Sequence, residues 1–438
     1  MKMKYTLTIV FAGLLLGSDS PVDANEFTAL VVGPPGADLL RGADARKQLV
    51  VTGETADGWR LDVSSSASYE CVPDGVVKID SRGLVTPVAN GEVVVRVAVA
   101  GQGDQPVVAE KKLKVENYVD QPVVNFPNQV VPIFTKHGCN GGGCHGKSGG
   151  QNGFRLSLLG FYPTEDHEYL VKEGRGRRIT PAAPGQSLLL RKALNISPHG
   201  GGKRFGEDSY EYRIIHRWMR QGIPYGNAAD LRVERVEVFP PQRKMPKGSM
   251  QQLSVIAFYN DGSYEDVTPM ATFEVNDKEM GEVDLKGRVQ VYDLSGDVAV
   301  MVRYQGQVGV FRSTVPLGVE VTNLPEPRNF IDTAVFNKLK LLGMPPSEAC
   351  DDQTFIRRVT IDIAGRLPTA EEAEAFAADD TEGRRDMAIE RLLESGSYAD
   401  YFTNKWASLL RNKKTKATYE LGTFSFHDWL REMIHTNA

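Results

Sequence analysis

The stretch Cys139-Asn140-Gly141-Gly142-Gly143-Cys144-His145 concentrates the reactive side chains of this chain, holding two of its four cysteines with a histidine directly behind them. Two thiols followed by an imidazole are what covalent haem attachment uses: two thioether bonds to vinyl groups and one axial nitrogen for the iron. The usual spacing is Cys-x-x-Cys-His. Here Asn140 to Gly143 separate the sulfurs, and three consecutive glycines let the longer loop bend. Two other chemistries use the same residues. A Cys139–Cys144 disulfide would staple the loop, and a zinc ion would take the same donors. Zinc calls for four ligands, and no second Cys/His pair of suitable spacing is near.

The elements that must position this motif lie in residues 126–226. This stretch carries 14 Lys and Arg against 7 Asp and Glu, a local excess of cations inside a chain of net charge −5. A short apolar run, Gly153–Phe161, follows the motif, and then Gly174-Arg175-Gly176-Arg177-Arg178. Ser187–Leu194 reads as a helix with Ser187 as a cap, and Pro198-His199-Gly200-Gly201-Gly202 reads as a loop. Ser209–Gln221 reads as an amphipathic helix with Tyr212, Ile215, Trp218 and Met219 on one face and Gly222 as its stop. Arg177 and Arg178 could form bidentate hydrogen bonds with haem carboxylates, or be solvated surface charge. His137, His167 and His216 are further candidate ligands, each with a packed or exposed alternative. The cationic excess also suits an anionic redox partner protein or polysaccharide.

This stretch resembles the planctomycete cytochrome-c-like domains through the Cys/His motif, Gly176-Arg177-Arg178 and Pro198-His199-Gly200-Gly201. The resemblance implies a small, mainly α cytochrome-c-like domain holding haem c. In small c-type cytochromes a loop before the last helix supplies the second axial ligand. The corresponding loop here carries His199, so the implied iron ligands are His145 and His199. Bis-histidine ligation favours electron transfer over oxygen chemistry.

Two further segments match at an offset of 204 residues: Asp57-Gly58 with Asp261-Gly262, Asp62-Val63 with Asp266-Val267, Tyr69 with Phe273, and Gly83 with Gly287. A one-residue slip then aligns Gly91 with Gly296. Two copies separated by unrelated sequence mean a duplicated domain, not a solenoid. β-branched runs such as Val93–Val99 and Val298–Val302, with turn signals between them, predict two all-β sandwiches. Asp57 and Asp261 are turn aspartates in this reading, with calcium ligation the alternative. Both copies resemble bacterial immunoglobulin-like domains of group 2, the second most closely through Gln252-Leu253-Ser254-Val255 and Tyr259-Asn260-Asp261-Gly262-Ser263. That resemblance implies spacer or adhesion modules.

From about Pro325 the periodicity is helical. Ile331, Val335, Leu339 and Leu342 precede Gly343, and Thr369-Ala370-Glu371-Glu372 is a capping box. Trp406 and Leu410 are expected in the core, and Arg358 and Asp362 are spaced for a helix ion pair. Phe355–Asp362, Gly365–Thr369 and Glu390–Leu393 resemble a planctomycete domain of unknown function named as a second cytochrome-c-like family. That domain normally runs past the point where this sequence stops, so the resemblance implies a truncated copy. The tail itself contains one cysteine, Cys350, and no Cys/His haem motif. Cys71 and Cys350 read as lone, mostly buried thiols.

A chain of 438 residues exceeds one core. Lys2 and Lys4, the apolar run Tyr5–Leu16 and Val22-Asp23-Ala24 read as a secretory signal peptide, so the mature chain is expected to be exported, in the periplasm or on the cell surface of a bacterium. No later stretch is apolar enough to cross a membrane. No Gly-x-Ser-x-Gly elbow, His-Glu-x-x-His motif, Walker motif or dinucleotide fingerprint is present, so no catalytic constellation is assigned and no nucleic acid is expected. The organisation expected is signal peptide 1–24, sandwich 27–117, haem domain 126–226, sandwich 231–320 and helical domain 325–438. The function expected is electron transfer by an exported c-type haem protein. The alternative is a surface adhesion or polysaccharide-binding protein in which Cys139 and Cys144 form a disulfide.

Overall fold

The computed structural model describes residues 27–101, 105–146, 148–227, 230–414 and 420–437. The expected signal peptide lies outside them. The chain forms two compact units, Met1–Pro345 and Pro346–Ala438.

In the first unit the duplication is visible strand by strand. The first copy pairs Phe27–Gly33 with Val50–Thr55 and Arg60–Asp62 in one sheet. Its main sheet has the order Leu39–Arg41, Val107–Glu116, Gly91–Val99, Ser68–Val72. A small third sheet joins Lys47–Gln48, Leu84–Pro87 and Val77–Ile79. The second copy repeats this order with Val233–Phe239, Ser254–Tyr259 and Tyr264–Asp266; with Gln242–Lys244, Gln307–Val315, Gly296–Tyr304 and Thr272–Val275; and with Met250–Gln252, Arg288–Val291 and Gly281–Val283. Alternation buries Val93, Val95, Val97 and Val99 in one copy and Val298, Val300 and Val302 in the other. Gly83 and Gly287 take the same left-handed turn, φ +79° and +78°. A Cβ at either would lie 2.8 Å from the equivalent ring residues, Tyr69 and Phe273, so only glycine fits. Asp57 accepts a bond from the Thr55 hydroxyl and Asp261 accepts the Ser263 N–H at 2.8 Å, the turn role.

The two modules are docked on one another, which departs from the expectation of spacers. The contact is reciprocal. The Gln48 N–H donates to Asp266 at 2.7 Å, and the equivalent Gln252 N–H donates to Asp62 at 2.5 Å. Each aspartate also accepts bonds inside its own module, from Ser64 and from Thr268 respectively. Arg82–Asp284 and Arg243–Thr52 add cross-module bonds of 2.9 and 2.7 Å. Residue i meeting j while j meets i is the pattern of a twofold interface, here within one chain.

The segment between the modules is helical. A turn at Phe126–Val130 runs into α1 (Val131–Lys136), followed by α2 (Pro163–Val171), α3 (Leu188–Ala193) and α4 (Tyr210–Arg220). Ser209 caps α4 by accepting the Tyr212 N–H, and α4 buries Ile214, Ile215, Trp218 and Met219. Ser187 stands at the N-cap position of α3, but its hydroxyl makes no capping bond there. It is fully buried, accepts the Thr180 N–H and donates to the Met219 sulfur. The insert shares one continuous core with the second module. Lys136 donates to the Ala271 carbonyl and stands 4.8 Å over the Phe273 ring, and Tyr304 donates to the Asn128 carbonyl. On its other side the insert pairs Arg217 with Asp44 of the first module. Helix α5 (Phe330–Leu342) ends on Gly343 in the left-handed region and ties to the second module through Lys338–Asp297.

The second unit is all-α: α6 (Asp352–Ala364), α7 (Ala370–Ala378), α8 (Arg384–Leu393), α9 (Gly396–Leu409) and α10 (Glu420–His435). The Thr369/Glu372 capping box opens α7 as expected. Ile356, Phe376 and Ala388 form its core. Trp406 and Leu410 are exposed, contrary to expectation, because α9 buries its small residues Ala399, Thr403 and Ala407 instead. Among the described residues Arg358 and Asp362 form no ion pair. The carboxylate used there is Asp352, held by Arg384 and Arg385. Cys71 and Cys350 are free and half-buried, less enclosed than expected.

Candidate functional site

The Cys/His motif is wound into a compact loop at the end of α1. The Cys139 N–H donates to the Phe134 carbonyl (2.8 Å), Cys144 N–H to Gly141 (2.9 Å), and His145 N–H back to Cys139 (3.0 Å). Asn140 lies at its centre, 1% exposed, with its amide donating to Thr135 Oγ1 and its carbonyl accepting from Leu159 N–H. The glycines that the geometry demands are not the central three. Gly138 is left-handed, and a Cβ on Gly146 would sit 1.9 Å from the Asn140 oxygen, whereas Cβ atoms on Gly142 and Gly143 would be unobstructed.

One cavity of about 810 Å³ gathers Cys139, Cys144, His145, Arg177, Arg178 and His199, although 60 residues of sequence separate Cys144 from Arg204 on the same wall. Phe134, Leu156, Leu188, Leu189, Ala193, Phe205 and Ile215 supply apolar walls. Both cysteines are free thiols, so the local disulfide is not formed. Burial pushes the Cys139 thiol up to about 11.

Both histidines are oriented alike. His145 Nδ1 lies 2.9 Å from the Phe154 carbonyl, and His199 Nδ1 lies 2.9 Å from the Gly202 carbonyl. A carbonyl only accepts, so each Nδ1 carries a proton; in a neutral ring Nε2, without a partner among the described residues, then keeps its lone pair, the arrangement of a metal-binding imidazole. Burial pulls His145 below its ordinary value, with His199 and Arg204 adding to the effect against the Phe154 bond. A neutral imidazole is the form that ligates.

The remaining histidines are engaged elsewhere. His137 Nε2 pairs with Glu211 at 3.0 Å, and Glu211, pushed up by burial, is held down to about 2 by that bond and its neighbours. His167 Nε2 bonds the Ile223 carbonyl, and His216 packs against Tyr212. Arg178 is a brace more than a free cation: it donates to the Tyr169 and Gly153 carbonyls, both at 2.6 Å, and lies 4.7 Å over the Phe154 ring. Arg177 is exposed at the cavity with no side-chain partner among the described residues. Sequence reasoning missed Arg204, Lys192 and Phe154. Only the positive charge density of the insert pointed to the first two. No cluster of three or more His, Cys, Asp or Glu suited to a metal ion occurs among the described residues, which leaves the zinc alternative without a ligand set.

A second depression of about 1040 Å³ lies between the insert and the second module, with Leu158, Leu159, Phe161 and Tyr162 on its lip. Phe161 is 75% exposed and Leu159 has φ +55°.

Among the described residues no helix is long and apolar enough to cross a membrane. No curated protein matches the chain. Similar solved structures include the S-layer protein SbsC, residues 31–844, at 11% identity and TM-score 0.18, covering 69% of this chain and 29% of that one. Domains 5–6 of SbsC match at 9% identity and TM-score 0.25, covering 65% and 99%. Mouse cadherin-23 EC22–24 matches at 14% identity and TM-score 0.15, covering 66% and 98%. Likeness at this level assigns no function. Residues 330–438 match the family described as PSCyt2, a protein of unknown function (DUF1549), which agrees with the resemblance read from that segment.

Proposed function

We propose that the insert is a cytochrome-c-like domain that holds haem c and carries electrons, with the two docked modules as its frame. The observation that carries this reading is the single cavity onto which Cys139, Cys144, His145 and His199 converge, both imidazoles with Nδ1 tied back and Nε2 free. The residues fit the group in three respects. The thiols are free, the walls are mostly apolar, and the ionised side chains on the lining are cations only: Arg177, Arg178, Lys192 and Arg204. Cys139 and Cys144 would add to the two vinyl groups, and His145 and His199 would supply the axial nitrogens. Bound haem supplies one-electron chemistry at iron. The chain's own part is to fix both imidazole tautomers through Phe154 and Gly202, to exclude water with Phe134, Leu188 and Phe205, and to offset the ligand's carboxylates with Arg177.

The test is export in a host with c-type maturation, followed by haem staining of a denaturing gel and a reduced-minus-oxidised spectrum. Haem should survive denaturation in the parent and vanish in Cys139→Ala/Cys144→Ala. An unstained parent with a flat difference spectrum would overturn the reading.

A second reading, a surface protein that binds a polysaccharide or protein, is favoured by the depression carrying exposed Leu158, Phe161 and Tyr162. It becomes the leading one if the gel is unstained.

A further inference from the structure

The guanidinium of Arg204, half-buried on the cavity wall, has no carboxylate partner among the described residues. Nη1 donates to the His137 carbonyl at 3.1 Å and Nη2 approaches the Cys144 sulfur at 3.6 Å. Nε is buried and has no partner among the described residues. The backbone is anchored, with Arg204 N–H donating to the Ala193 carbonyl at 2.7 Å. The group is packed beside the second histidine: a Cβ built on Gly201 would lie 2.5 Å from Arg204 Nη2 and 3.0 Å from His199 Cε1. Glu211, the carboxylate bonded to His137, is engaged by that histidine.

A fixed, half-buried cation without a carboxylate partner acts on any neighbouring centre that changes charge, because water screens it only in part. We propose that Arg204 sets the reduction potential of the haem centre, raising it above what two imidazole ligands alone would give. The inference rests on the haem reading. Its physics is direct. The ferric centre carries one more positive charge than the ferrous one, so a fixed cation disfavours the oxidised form and moves the midpoint upward. Arg204 is a tuning residue in this account, not a ligand. The same cation bonds the His137 carbonyl and sits against the loop of His199, so it holds the two loops while it acts on the charge.

The test is spectroelectrochemistry of the full-length, haem-loaded chain carrying Arg204→Gln, Arg204→Met and Arg204→Lys. Arg204→Met keeps most of the aliphatic stem, and serves if the glutamine variant does not mature. Arg177→Gln, a neutralised cation at the exposed rim, is the positional control. The midpoint should fall in both neutral variants, stay close to the parent in Arg204→Lys, and move less in Arg177→Gln. Absorption and electron-spin spectra must keep the parent's axial signature throughout. Unchanged midpoints in the neutral variants would overturn the proposal, and so would an equal fall in Arg204→Lys, which would mean that geometry and not charge is responsible. A parent that carries no covalent haem on the denaturing gel fails the underlying reading itself, an outcome separate from either of these.

Discussion

At the residue scale the chemistry of the insert is decided by where hydrogen-bond acceptors stand. The sequence marked His145 and His199 as ligands by type and position. What the structure adds is a carbonyl 2.9 Å from each Nδ1, and no pattern in the chain announces that Phe154 and Gly202 supply those acceptors. Arg178 shows the reverse. It looks like a free cation in a Gly-Arg-rich run, yet its guanidinium is spent on two backbone oxygens. Lys136 is a third case and gives a prediction. Burial lowers its ammonium to about 8 against the opposing pull of Asp284 and Glu211. Between about pH 8 and 10.5 the unfolded chain therefore binds more protons than the folded one, and stability rises with pH across that window. Below pH 8 both states are protonated and the whole cost of burying the charge remains. Relative to Lys136→Met, the parent should gain up to about 3 kcal/mol on going from pH 8 to pH 10.5. Urea unfolding of both proteins at several pH values measures this. A pH-independent difference would show that the ammonium is not desolvated.

At the scale of elements, the duplicated modules were legible because sheet periodicity and turn glycines are local properties. Their docking was not. Asp62 and Asp266 matched in the sequence as equivalents across the repeat, and nothing in the spacing says that each accepts an N–H from the other module. Asp266 takes bonds from Gln48, Ser254 and Thr268, so Asp266→Ala would strand several buried donors and should cost roughly 3 kcal/mol or more. Asp62→Ala should behave alike, and the double variant should cost less than the sum, since both act through one interface. Denaturant curves give the coupling. Strict additivity would mean that each carboxylate serves only its own module.

For the whole molecule, residues 126–219 and the second module share a core, whereas the second unit has its own small core around Ile356, Phe376 and Ala388. Calorimetry of the full chain should accordingly show two transitions. Ile356→Ala, a truncation of a core side chain 4% exposed, should lower only the smaller one, by about 2–5 kcal/mol. A single transition shifted as a whole would contradict the separation into two units.

The amino-acid sequence alone determined the repeat, the apolar face of α4 and the capping box of α7, because alternation, helical periodicity and caps act over a few neighbours. It misplaced Trp406 and Leu410, since a helical stripe of small residues, not the largest apolar ones, turned inward on α9. Only the tertiary structure brought His199, Arg177 and Arg204 to the wall that holds Cys144, and set the two modules face to face. Those contacts join positions dozens to hundreds of residues apart. Their energy comes from burial and from paired polar groups that exist only once the chain has closed.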